Sequence, residues 1–289
     1  MVNCPWRLEL ADGQRWTFAA GMPLQTWLDK FAAVLKLKRH EHPHPTASLT
    51  FHVNRGAEHP PGIVHDSGFV TIWAESGSHD WHCRFNQRRG RRRDIYYIQH
   101  ALTPVFQEAI RRWGFLVHAG LIERNGQGIL ITGPSGTGKS TLCRRLANAY
   151  QIRCDEETLI VRNQQGCYRG HPFPTWSHLL KCDDLESWPV QQALPISHIF
   201  FIFPDRKYLV TPIGPGETSI LMTRAAFGKS LRGFLDTNND AALALKERVF
   251  QNVCNAAAAI PACRFHVSLA GDIEEEFEKA CLLLDKKLL

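Results

Sequence analysis

The sequence predicts an α/β fold with a mixed sheet, preceded by a small α+β region. Strand-like and helix-like segments alternate through the second half of the chain. An apolar strand pattern runs through a glycine-rich turn directly into an amphipathic helix at residues 127–147. The first hundred residues instead combine a hairpin signal with short alternating segments. With 289 residues the chain is long enough for two domains, which we predict at residues 1–100 and 101–289.

The N-terminal elements are predicted from periodicity and turn signals. Apolar and polar residues alternate over 6–10, and Asp12-Gly13 is a typical hairpin turn before a returning strand at 16–18. Apolar residues recur at helical spacing over 24–37. Further strands are predicted at 48–53, 68–74 and 81–85, and a long helix at 94–113 that kinks or restarts at Thr103-Pro104.

The elements of the second region follow the same criteria. Short apolar runs rich in β-branched and aromatic residues indicate strands, and longer segments with helical spacing indicate helices. Strands are predicted at 115–121, 128–132, 159–162, 198–203, 208–212 and 262–269, and helices at 241–258 and 272–284.

Composition excludes several classes of protein. Hydrophobic residues make up 44% and charged residues 21%, as in an ordinary globular protein. Apolar runs stay short of the roughly 18 residues that a membrane span needs. The N-terminus lacks the basic and apolar regions of a signal peptide, which predicts a cytoplasmic protein with no membrane partner. Nine cysteines without a Cys-x-x-Cys pair indicate reduced thiols rather than a zinc ribbon or a disulfide framework.

A phosphate-binding loop is the clearest functional signal. Residues 127–142 read Gln-Gly-Ile-Leu-Ile-Thr-Gly-Pro-Ser-Gly-Thr-Gly-Lys-Ser-Thr-Leu. Glycines at this spacing let backbone N–H groups turn inward around a polyphosphate, and the following helix adds its positive N-terminal dipole. Lys139 is expected to reach the β- and γ-phosphates and Ser140 to bind Mg²⁺. The loop therefore predicts ATP or another nucleoside triphosphate as ligand, bound by Gly133, Pro134, Ser135, Gly136, Thr137, Gly138, Lys139, Ser140 and Thr141.

An ordered set of motifs around this loop resembles a known family. His118-Ala-Gly, a hairpin, the phosphate loop and Ile152-Arg-Cys-Asp155-Glu156 follow one another as in the catalytic domain of HPr kinase/phosphorylase. The likeness is good over residues 115–163 and only general elsewhere. It implies an HPr-kinase/PEP-carboxykinase-like P-loop core as the catalytic domain over 101–289.

The additional N-terminal region resembles that of HPr-kinase-like proteins encoded with modified-peptide biosynthesis. Lasso-peptide kinases and the SynChlorMet cassette protein ScmC are examples of this subgroup. This resemblance implies that residues 1–100 bind a peptide or another partner.

Asp155 can be interpreted either as a surface residue or as a catalytic base. From spacing alone, residues 154–157 are better interpreted as a solvated acidic turn. The resemblance reverses that preference and assigns Asp155 as the general base that accepts the proton of an acceptor hydroxyl. Glu156 stands where the family usually has a second Asp, so it is a candidate Mg²⁺ ligand beside Ser140.

His118 occupies the position of the family's motif histidine, where it could orient Asp155 or contact a phosphate oxygen. A histidine satisfied within the core is an equally good interpretation. Downstream, Arg169-Gly170 keeps only part of the family's Arg-Gly-x-Gly element, which favours kinase activity over phosphorylase activity. Asp205 follows a strand-breaking proline and is predicted to lie outside the site.

Two further clusters are better explained as surface features. The arginine-rich segment 84–93 is best interpreted as a solvated or interdomain loop. The sharper alternative is that it binds an acidic precursor peptide, and binding of nucleic acid is disfavoured. The histidines of residues 40–44 indicate a polar loop rather than a metal site.

Two classes of function follow from these residues. The first is an ATP-dependent kinase acting on a Ser/Thr-type hydroxyl of a protein or ribosomal precursor peptide. The second is a regulatory switch that binds a nucleotide without transferring phosphate, and a small-molecule kinase is a lesser third. Asp155 discriminates the first two, because a switch needs no base directed at an acceptor. A homo-oligomer is left open as a further partner.

Overall fold

A computed structural model describes residues 5–39, 45–53, 63–74, 77–86, 91–181, 186–228 and 240–286. The chain divides into two compact units, one of Met1–Ala109 with Pro174–Gln192 and one of Ile110–Phe173 with Ala193–Leu289. Whether residues 1–100 and 101–289 are separate domains stays a prediction. The histidine segment 40–44 and residues 87–90 of the arginine-rich segment lie outside the described residues, and only the backbone of 91–93 is described.

The first unit is built on a mixed seven-stranded sheet. Its strand order is β3-β1-β2-β4-β7-β6-β5. Strand β4 runs parallel to both of its neighbours, and the other pairs are antiparallel. The strands are β1 Trp6–Glu9, β2 Arg15–Ala20, β3 Lys38–Arg39, β4 Ala47–Val53, β5 Ile63–Asp66, β6 Val70–Ala74 and β7 Asp80–Phe85.

An aromatic core lies between this sheet and helix α1. Trp27 on the helix contacts Phe51 and Phe85 on the strands, with ring centroids 4.8 and 4.6 Å apart. A second helix ends at Ala101 and a third starts at Thr103, whose hydroxyl donates to the His100 carbonyl, so the predicted restart at this point is confirmed. The helices of this unit are α1 Gln25–Val34 after a 3-10 turn at Met22–Leu24, α2 Arg91–Ala101, the start of α3 Thr103–Arg111, and α5 Trp176–Leu179.

Two histidines are stacked inside the first unit. The rings of His65 and His100 lie 5.9 Å apart, and Phe69 stacks on His100 at 5.7 Å. Burial lowers the pKa of His100 to about 4, with a smaller contribution from His65. Burial likewise lowers the pKa of His65. The folded unit therefore holds both imidazoles neutral at pH values where an unfolded chain would already bind protons.

This stack predicts acid sensitivity of the fold. An unfolded His100 binds a proton near its ordinary pKa of 6.5, whereas the folded one does so only near 4. Its stabilising contribution is thus complete above pH 6.5 and is lost as the pH falls towards 4, at about 1.4 kcal/mol per pKa unit. Urea unfolding of the full chain at pH 7 and pH 5 should show a smaller loss for His100→Phe than for the parent. Equal losses in both proteins would contradict this prediction.

The second unit contains a mixed nine-stranded sheet, which confirms the predicted α/β class. Its main order is β11-β9-β10-β14-β13-β12-β8, with β16 also paired to β14 and β15 paired to β16. Strands β10, β14 and β16 are mutually parallel where they pair. The strands are β8 Phe115–Val117, β9 Ala119–Arg124, β10 Gln127–Thr132, β11 Gln151–Cys154, β12 Glu157–Arg162, β13 Tyr168–Phe173, β14 Leu194–Pro204, β15 Leu209–Ile213 and β16 Ala262–Val267.

Helices cover this sheet. Helices α4 and α8 bury their apolar sides against β10, β14 and β16 in one cluster that includes Ile131, Leu142, Phe265 and Phe277. On α7, the fully buried Asn252 amide donates to the carbonyls of residues 110 and 114. The helices of this unit are α4 Lys139–Leu146, α6 Pro215–Phe227, α7 Asp240–Ala259 and α8 Ile273–Asp285.

The predicted strand at 115–121 is wrong as a single element, because the chain breaks it at His118. The His118 N–H donates to the Ala225 carbonyl on α6, and the His118 carbonyl accepts from the Thr132 hydroxyl. Both partners are distant in sequence, so the continuous apolar run concealed the break. Strand β13 was also missed, because Gly170 and Pro172 lower its strand propensity.

The described residues bear on the predictions about disulfides and membrane spans. The cysteines that the structure describes are free thiols. Among the described helices, none is long and apolar enough to cross a membrane.

Candidate functional site

The site forms at one edge of the second unit's sheet. Strand β9 is antiparallel to both β10 and β11, so the carboxyl ends of β10 and β11 meet the start of β9 at this edge. Strands β14 and β16 are parallel to β10 and end on the same side. Three predicted elements therefore share one edge: the glycine-rich loop after Thr132, Asp155 after Cys154, and His118 before Ala119.

The glycine-rich loop needs its glycines for two different reasons. Gly136 and Gly138 have φ angles of 85° and 89°, a left-handed conformation that side chains rarely adopt, although the space around them is open. At Gly133 the φ angle is 155° and the space is filled. A Cβ there would stand 3.0 Å from the Ile202 carbonyl oxygen and 3.1 Å from the Thr137 hydroxyl.

Lys139 is held over this loop. It is the first residue of α4 and only 6% exposed. Its Nζ donates to the carbonyl oxygens of Gly133 and Pro134 at 2.8 and 3.1 Å, and the Thr137 hydroxyl donates to the same Pro134 oxygen. The residue before α4 is Gly138, which has no side chain to cap the helix. A buried ammonium and a helix N-terminus thus face the same loop, an arrangement suited to anions.

Asp155 lies against the start of β9. It is half-buried in the bend after β11. A Cβ placed on Gly120 would stand 3.1 Å from Cys143 Sγ, 3.2 Å from the Cys154 carbonyl oxygen and 3.3 Å from Asp155 Cα. Gly120 pairs with Ile131, the residue before the end of β10. The glycine therefore allows the Asp155 backbone to approach β9, the strand next to the one that leads into the phosphate-binding loop.

Cys143 links Asp155 and Lys139 electrostatically. This thiol is buried on α4, and burial is the main reason why its pKa rises to about 12. The Asp155 carboxylate raises the pKa further, whereas the Lys139 ammonium lowers it. Both charges consequently act on the same buried sulfur. Cys143 and Gly120 were not among the predicted site residues, although the helical spacing of Cys143 with Leu142 and Leu146 marks it as a core residue.

The candidate metal ligands are oxygen donors. Ser140 is exposed in the first turn of α4, and Glu156 is half-buried next to Asp155. The described residues contain no group of three or more His, Cys, Asp or Glu side chains that could hold a metal ion. Mg²⁺ is usually bound by one or two carboxylates together with substrate phosphates rather than by a protein cage. A hydroxyl and a carboxylate at this edge fit that kind of binding.

His118 lies beside the start of the loop. It separates β8 from β9 and is half-buried, and its carbonyl accepts from Thr132, the last residue of β10. Its backbone thus ties the loop strand to β9. The catalytic role of its side chain stays a prediction.

The contact at Gly120 predicts a sensitive position. Gly120→Ala should push the Asp155 backbone outward by a few tenths of an ångström, at a cost of about 1–3 kcal/mol in stability. We expect phosphoryl transfer to fall more than ATP affinity does, because the loop after β10 keeps its own contacts. Gly216→Ala is the matched control, since a Cβ there meets no atom within 4 Å. Parent transfer rates in folded Gly120→Ala would refute the importance of this contact.

Comparison with known proteins identifies the family. The family model described as SynChlorMet cassette protein ScmC matches residues 81–283. The chain therefore belongs to this family, which confirms the resemblance seen in the sequence. Among solved structures, the chain is similar to the HPr(Ser) kinase/phosphatase from Coxiella burnetii, at 13% identity and a TM-score of 0.32. That alignment covers 60% of this chain and 92% of the other. No curated protein matches the chain.

Proposed function

We propose that this protein is an ATP-dependent kinase that transfers the γ-phosphoryl group to a Ser/Thr-type hydroxyl of a protein or ribosomal precursor peptide. One observation carries the proposal. A single sheet edge holds both the glycine-rich loop with the buried Lys139, after β10, and Asp155, after β11, the strand that pairs with β9. Phosphoryl transfer uses a cation such as Lys139 at the phosphates and a carboxylate such as Asp155 at the acceptor hydroxyl.

The loop residues supply binding and positioning. Backbone amides of Ser135 to Thr141 surround the β- and γ-phosphates, and Lys139 exchanges its two carbonyl partners for phosphate oxygens. Ser140 and Glu156 would hold Mg²⁺, which neutralises phosphate charge when bound. His118 orients Asp155 or contacts a phosphate oxygen.

Asp155 supplies the general base. Its carboxylate accepts the proton of the acceptor hydroxyl while that oxygen forms a bond to the γ-phosphorus. The bond from phosphorus to the β,γ-bridging oxygen breaks, and ADP leaves with the bonding electrons. The Asp155 side chain is only half-buried, so an acceptor hydroxyl can reach it.

Membership of a cassette protein family supports a peptide acceptor encoded nearby. A regulatory switch remains the second candidate, since the loop and Lys139 alone suffice for nucleotide binding. It gives no reason, however, for the close approach of Asp155 to Gly120.

A phosphotransfer assay tests the proposal. The purified chain is incubated with Mg·ATP and the short peptide encoded beside its gene, and the peptide is analysed by mass spectrometry. We expect a mass gain of one phosphate on a serine or threonine. ATP binding without modification of any peptide or protein acceptor would favour the switch, and transfer to a metabolite would favour the small-molecule kinase.

A further inference from the structure

The sheet edge determines where the nucleoside of a bound nucleotide lies. Seen from β10, Asp155 is on one side, beyond β9, and the ends of β14 and β16 are on the other. With the γ-phosphate at Asp155, as the proposed function requires, the side of the loop towards β14 and β16 is left for the nucleoside. Ligands of open α/β sheets commonly bind outside the carboxyl ends of the strands.

Two aromatic side chains stand at that position. Phe203 near the end of β14 and His266 near the end of β16 are paired in register, and their rings stack at 5.5 Å with an angle of 26°. We call these two residues the rim pair. The loop strand approaches β14 here, because a Cβ on Gly133 would lie 3.0 Å from the carbonyl oxygen of Ile202, the residue before Phe203. The rim pair is therefore close to the phosphate-binding loop.

The rim pair is accessible and fixed in orientation. The His266 side chain is 26% exposed, and its Nδ1 lies 2.9 Å from a carboxylate oxygen of Asp205. The Arg264 guanidinium stands 5.8 Å from the centre of the Phe203 ring. An aromatic surface held in this way loses little side-chain freedom when a planar base stacks on it.

The loop after β16 is tied to the helix that follows the phosphate-binding loop. Arg145 of α4 donates to the Ser268 carbonyl at 2.7 Å and to the Gly271 carbonyl at 3.2 Å. Between them, the Leu269 side chain is 85% exposed. This tether fixes the backbone on both sides of Leu269, which follows His266 by three residues.

From these observations we infer that the rim pair and Leu269 form the subsite for the nucleoside base, resting on the function proposed above. Phe203 and His266 offer the stacking surface, and Leu269 is available to cover the base. The Asp205 carboxylate acts by holding the His266 ring through its contact with Nδ1.

Calorimetric titration with two ligands tests this subsite. Mg·ATP and Mg·tripolyphosphate share the phosphate chain, but only ATP carries a base. His266→Leu and Phe203→Leu should each weaken ATP binding by roughly 10-fold, as expected for loss of base stacking, and leave tripolyphosphate binding unchanged. The exposed His79 of the first unit gives the matched control His79→Leu, which should bind both ligands like the parent.

Other outcomes overturn the inference. If neither ligand's affinity changes in the two rim-pair variants, the base binds elsewhere. If both affinities fall together, the rim pair only supports the phosphate-binding loop. Failure of the kinase proposal is seen separately, as ATP binding by the parent protein without transfer of phosphate to any acceptor.

Discussion

Replacing Asp155 with asparagine is expected to slow phosphoryl transfer by roughly 10² or more, the loss typical of a missing general base. The amide has nearly the same size and should keep the packing against Gly120. It cannot accept the proton of an acceptor hydroxyl. ATP affinity should remain close to that of the parent, because the loop and Lys139 do not depend on this proton transfer.

Initial rates of phosphopeptide formation and calorimetric ATP titration measure the two halves of this prediction. Asp240→Asn provides the control, since Asp240 undergoes the same chemical change at an exposed position at the start of α7. An Asp155→Asn protein that transfers phosphate at the control's rate would refute the base role.

Replacing Lys139 with alanine is expected to reduce turnover by roughly 10²-fold or more and to weaken nucleotide binding. The substitution removes the ammonium that the structure buries over the loop, between the carbonyls of Gly133 and Pro134. A water molecule in place of the ammonium would supply only a neutral dipole to the phosphates.

The control for this change is Lys279→Ala, an exposed lysine of α8 paired with Glu275 and Glu276. It should bind and turn over ATP like the parent. Undiminished turnover by a folded Lys139→Ala protein would show that the glycine-rich loop is not the active site.

The loop and its strand could be predicted from the sequence because their determinants are local. Glycines with positive φ, an apolar strand before them and a helix after them are all contained in residues 127–147. The ordered motifs around the loop indicated an HPr-kinase-like protein, the N-terminal region indicated the ScmC subgroup, and the match to the ScmC family model confirms that subgroup.

Contacts between distant residues could not be predicted in this way. The approach of Asp155 to Gly120 arises from the pairing of β9 with β11, and the break at His118 from a hydrogen bond to α6. Residues 174–192 join the first unit through contacts such as the bond from the Trp188 N–H to the Val34 carbonyl. Hydrophobic periodicity does not predict such pairings, because it indicates only which face of a helix or strand is apolar.

Single-turnover transfer from γ-labelled ATP tests the central claim most directly. Parent and Asp155→Asn proteins, each saturated with Mg·ATP, are mixed with the peptide encoded beside the gene, and label on the peptide is followed with time. The account predicts stoichiometric labelling of a serine or threonine by the parent and transfer slowed by roughly 10² in the variant. Equal rates in the two proteins, or a parent that binds ATP and labels no acceptor, would contradict it.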